Sequence, residues 1–134
     1  MGRLLNKLIE NSTSQTSLTD IYLVDKSEKQ IKMKLEIGAP GQTAMSKVKI
    51  GKTVLLEEHD GAIDDLLVGT NAGVNGKFLT IKTVVTDIKG KPDDTAVDFT
   101  LTGGPDGKYN FKMSKTVAAD CDSVFYEIEI FFFN

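Results

Sequence analysis

At 134 residues, 40% hydrophobic and 26% charged, the chain has the size and make-up of one globular domain that can bury a core without staples. A net charge of −3 argues against a phosphate-backbone binder, which would carry a clear basic excess. One cysteine (Cys121) and one histidine (His59) leave no internal disulfide and no Cys/His zinc site, and no apolar run approaches the roughly 20 residues of a membrane span.

Leu4, Leu5, Leu8 and Ile9 fall on one side of a short N-terminal helix. Lys7 and Glu10 interrupt it too soon for a signal peptide, and after Gly2 a myristoylation site would need Ser or Thr where Asn6 stands. The chain is therefore expected to be soluble and cytoplasmic, or exported by a route without a cleaved signal peptide. The lone cysteine suits a reducing compartment. Asn11 to Ser17 is polar and reads as a tether, which divides the chain into a helix with tether (1–16) and a domain (17–134).

From there the period is two. Leu18 to Val24 is expected as a strand, followed by the charged turn Asp25 to Lys29. In Gln30 to Ile37, Ile31, Met33, Leu35 and Ile37 alternate with Lys32, Lys34 and Glu36, the pattern of a half-buried strand with one wet face. That alternation makes the lysines from Lys26 to Lys34 a solvated face rather than a nucleic-acid patch. A break at Gly38 to Gly41 follows. Val48 and Ile50, then Val54 and Leu56, resume the alternation in phase, with a bulge or bend at Gly51-Lys52. Asp60 could cap a turn or two of helix over Ala62 to Leu67. The Gly-rich run 69–76 ends in Asn75-Gly76, a tight-turn signal.

Lys77 to Ile88 is a long strand with Leu79, Ile81 and Val85 on one face, Phe78 and Val84 on the other. Residues 95–114 form a hairpin about the turn Gly103 to Gly107. Its arms carry Val97, Phe99 and Leu101, then Tyr109, Phe111 and Met113. The last strand, Ser123 to Phe133, buries Val124, Tyr126, Ile128, Ile130 and Phe132. About seven strands with no helix between neighbours predict an all-β, two-sheet antiparallel β-sandwich, Greek-key/Ig-like or jelly-roll-like, with a short N-terminal helix.

Motifs for chemistry are weak. Gly51-Lys52-Thr53 resembles the end of a phosphate-binding loop, but Ser46 stands where the first glycine is required and both flanks alternate like strands. His59 could serve only one nucleophile–base arrangement, with Ser46 or Cys121, and no motif joins them. No cofactor is implied. The loop carboxylates Asp60, Asp64, Asp93 and Asp94 could converge on calcium, which prefers several oxygen ligands, although turn-forming Asp is expected in any β protein. The most unusual feature is the end of the chain. Opposite its core face, the last strand carries Phe125, Glu127, Glu129, Phe131 and Phe133. Phe131 and Phe133 either form an exposed contact patch or lie beneath the N-terminal helix.

Two functions are therefore expected as alternatives. One is a non-enzymatic interaction or assembly module, a homo-oligomer or a subunit of a larger protein complex. Its candidate interface is Leu4, Leu5, Leu8, Ile9, Phe125, Phe131 and Phe133. The other is a ligand-binding sandwich that takes calcium or carbohydrate on its loop carboxylates.

Overall fold

The structure, a computed structural model, describes residues 3–38, 42–87, 94–117 and 122–134. Its elements are α1 (Arg3–Glu10), β1 (Ser14–Leu23), β2 (Gln30–Ile37), β3 (Gln42–Ile50), β4 (Thr53–Asp60), β5 (Ile63–Thr70), α2 (Asn71–Val74), β6 (Phe78–Asp87), β7 (Asp94–Gly104), β8 (Gly107–Thr116) and β9 (Ser123–Phe133). They form a β-sandwich. One sheet has the order β1-β9-β6-β3-β4, the other β5-β2-β7-β8. Only the connections β3–β4 and β7–β8 stay within a sheet; the rest cross over. All pairings are antiparallel except β1 with β9, which is parallel and holds one register from Ser14↔Val124 to Leu23↔Phe133.

The period-two residues meet between the sheets as expected. Ile31, Met33, Leu35, Val97, Phe99 and Leu101 come from one side and Leu79, Ile81, Val85, Tyr126, Ile128, Ile130 and Phe132 from the other, all in one buried cluster. Burying such a side chain contributes roughly 1.5–3 kcal/mol, so this layer is the principal source of stability. Two buried polar pairs lie within it. Ser46 bonds Thr83 across the β3–β6 ladder at 2.7 Å. Tyr126 reaches from β9 to Thr95 on β7, and Thr95 itself donates to the Lys115 carbonyl, so the tyrosine is the donor between sheets.

All three tyrosines of the chain donate in this way. Tyr22 donates to the Gly107 carbonyl at 2.6 Å and accepts from the Gly104 N–H; Tyr109 donates to an Asp20 carboxylate oxygen at 2.8 Å. Burial is the main reason that each hydroxyl is pushed above its ordinary pKa, and the Asp20 carboxylate adds to it for Tyr109. Because the folded values exceed the unfolded value of about 10, the stability they contribute is complete below that pH and is lost as pH rises above it. Phenolate absorbance should therefore appear at higher pH in the folded protein than in the urea-unfolded chain. A tyrosine that ionises near its ordinary pKa in the folded protein would contradict this.

Four sequence-based expectations change. Among the described residues there are nine strands rather than about seven: Gly51-Lys52 is the turn of a β3–β4 hairpin and not a bend in one strand, with Gly51 at φ +56°, and β5 adds the other. The expected helix over Ala62 to Leu67 is β5. Ile63, Leu66 and Leu67 have helical spacing only because Asp65, at φ +53°, interrupts the strand's alternation where its register with β2 shifts. The Gly-rich run is not a plain turn, since Thr70 caps the one-turn α2 by accepting the Gly73 N–H. Finally, the polar segment read as a tether is a strand from Ser14 onward.

Candidate interaction surface

The outer face of the five-stranded sheet is built in three bands. At one end Leu5 of α1 is buried against Val84 and Phe125, with Leu8, Ile9 and Met45 around it. The Glu58 carboxylate accepts the Leu5 N–H at 2.9 Å, which satisfies one of the donors left free in the first turn of any helix. The middle band is charged: Lys47, Lys49, Lys82, Glu127 and Glu129, with Thr80, line a shallow depression of about 280 Å³. Lys47 also faces Glu57 at 3.8 Å.

The far band is apolar. Register sets Ile21 beside Phe131 and Phe131 beside Phe78, with Leu23 beside Phe133 in the next row. The Phe78 and Phe131 ring centroids are 4.9 Å apart, and those of Phe131 and Phe133 are 6.3 Å apart. Both spacings suit favourable aromatic pairs. Yet Ile21 is 57% exposed and Phe133 52%, while Phe78 and Leu23 are also open to solvent.

α1 does not cover Phe131 and Phe133. An eight-residue helix is about 12 Å long, whereas Phe125 and Phe131 are separated by about 20 Å along an extended strand. A helix crossing the Phe125 end cannot reach the other. Of the expected interface residues, Leu5, Leu8, Ile9 and Phe125 pack within the chain. Leu4, Phe131 and Phe133 remain open or half open. Ile21, Leu23 and Phe78 join the surface. Phe78 was already legible as pointing away from the core, but only strand order brings it to Phe131.

The remaining candidates are placed elsewhere. Asp60 ends β4, Asp64 lies in β5, Asp94 opens β7 and accepts the Thr116 hydroxyl, and Asp93 is outside the described residues. No group of three or more potential metal ligands forms among the described residues. Ser46 and His59 are cross-strand partners, but the Ser46 hydroxyl is buried on Thr83 and a His59 ring nitrogen bonds the Ala62 carbonyl at 2.8 Å. Cys121 is outside the described residues. Lys32 and Lys34 lie on the wet face of β2 beside Asp65 and Glu36. No described helix is long and apolar enough to cross a membrane. No family model, curated protein or solved structure matches the chain.

Proposed function

We propose that the chain is a non-enzymatic assembly module that associates with further copies of itself through the apolar end of its larger sheet. The observation that carries this reading is the contiguous patch of Ile21, Leu23, Phe78 and Phe133, exposed around the half-buried Phe131 on a face whose other end the chain covers with its own helix. Aromatic residues in such a cluster are the usual anchors of protein interfaces, where a few side chains supply most of the binding energy. The charged band beside them would form the polar margin of the contact.

Light scattering on a size-exclusion column, over a range of protein concentrations, tests the proposal. The wild-type chain should run at a multiple of the monomer mass. The double substitution Phe131→Glu/Phe133→Glu should weaken association by roughly 30-fold or more, the effect of losing about 2 kcal/mol at an interface centre. Because Phe133 is already half exposed, the substituted protein should keep its circular dichroism spectrum. A wild-type chain that stays monomeric at the highest concentration reached would refute the reading.

A further inference from the structure

Four strands stand at sheet edges among the described residues: β1, β4, β5 and β8. An open edge presents unpaired N–H and C=O groups to any passing strand, and natural sheets blunt it with lysines, prolines, bulges or charges. Three of these edges are blunted. β4 carries Glu57, Glu58 and Asp60 and two register irregularities against β3. β5 carries Asp64 and Asp65 and two irregularities against β2. β8 carries Lys108, Lys112 and Lys115.

Of the four edges, β1 is blunted least. Its 10 residues hold one unbroken register with β9 and include no proline or lysine. Its single charge, Asp20, is engaged by Tyr109 of the opposite sheet. The phase of the ladder is set by Val24, whose N–H bonds the Phe133 carbonyl. Alternation then turns the N–H groups of Leu23, Ile21, Thr19, Ser17 and Gln15 away from β9, to the open edge. Ile21 agrees, since its N–H bonds the Asp20 carboxylate and not the ladder.

We infer that β1 is a second self-association contact, pairing antiparallel with β1 of another copy so that two five-stranded sheets become one. This rests on the homo-oligomeric reading above and adds an edge contact, by strand addition, to the contact through the apolar face. Strands related by a twofold axis must pair residues of the same face, which leaves few registers. Centring on Asp20 sets two carboxylates against each other, and centring on Thr19 sets Leu18 against Asp20. Centring on Leu18 avoids both. It places Leu18 beside its own copy and the Thr16 hydroxyl beside the Asp20 carboxylate, while Ser17 exchanges backbone bonds with Thr19 and Gln15 with Ile21. The Ile21 N–H then leaves the Asp20 carboxylate for the Gln15 carbonyl of the second copy. The same pairing extends the sheet beside Ile21 and Leu23, the β1 half of the apolar band.

The test is a set of single substitutions whose dimerisation is measured by light scattering. Thr19→Pro removes an N–H that only the second copy uses, and proline is tolerated at a free edge, so it should weaken dimerisation at least tenfold with the fold intact. Thr19→Lys should do the same if the proline variant folds poorly. In the Cys121→Ser background, Leu18→Cys should oxidise to a disulfide-linked dimer, because directly opposed residues without mutual backbone bonds bring their Cα atoms to about 4.5 Å. A dimer that survives both Thr19 variants but dissociates with Phe131→Glu/Phe133→Glu overturns strand pairing and leaves self-association standing. A chain that is monomeric throughout overturns both.

Discussion

Asn71→Leu is expected to lower the unfolding free energy by about 3–5 kcal/mol, an unusually large effect for one neutral side chain. Asn71 is wholly buried at the first position of α2. Its Oδ1 accepts the Asp25 N–H at 3.1 Å, and its Nδ2 donates to the carbonyls of Lys29 at 2.8 Å and Gly103 at 3.0 Å. One side chain thus fastens both ends of the β1–β2 connection to the tip of the β7–β8 hairpin. Leucine would fill the space but forfeit three hydrogen bonds, each worth about 1 kcal/mol net, and strand an N–H away from water. Urea denaturation should show a lower midpoint with an unchanged slope. Asn71→Asp sharpens the test. A carboxylate there would face two carbonyl oxygens in a buried site, so its folded pKa would lie above the ordinary 3.9 or so. Its deficit should then be greatest at neutral pH and shrink as pH falls through that raised value toward about 4. A deficit insensitive to pH, or an Asn71→Leu protein within 1 kcal/mol or so of wild type, would remove this account.

Gly103→Ala should cost about 3 kcal/mol or more, measured as a fall in the thermal midpoint. Gly103 lies where the β7–β8 register shifts and has φ +106°, and an added Cβ would collide with the carbonyl oxygen of Gln30. That oxygen belongs to the backbone of β2 and cannot swing aside. Gly61, at φ +80°, is the control, because nothing lies within 4 Å of the Cβ it would gain. Gly61→Ala should show only the backbone strain, about 1–2 kcal/mol. Equal losses at the two positions would mean that the approach of β7 to Gln30 has no consequence.

Where a strand buries one whole face, its identity could be read from residue order. Ile31-Met33-Leu35 in β2, the β7–β8 hairpin and the alternation in β9 are of this kind, and so was the separation of Phe131 and Phe133 from the core. The misreadings share a cause, which is local pattern disturbed by long-range pairing. In β5 the left-handed Asp65 shifts the phase and gives Ile63, Leu66 and Leu67 a helical look. In β1 Ser14 to Ser17 have no fully buried face, so an edge strand resembles a linker. The interaction surface was half legible for the same reason. Its β9 residues announce themselves, but Ile21, Leu23 and Phe78 join them only through a strand order that no short stretch encodes.

The parallel pairing of β1 and β9 also bears on how the chain comes into being. Ser14 and Val124 are 110 positions apart (14 against 124), so during synthesis the first strand waits until nearly all the others have left the ribosome. Contacts this distant in order make for slow closure, and strands left waiting are where aggregation begins. The Ser/Thr-rich first half of β1 suits that wait. It can remain hydrated and harmless as a loose chain, and becomes a sheet edge only when β9 arrives to receive it.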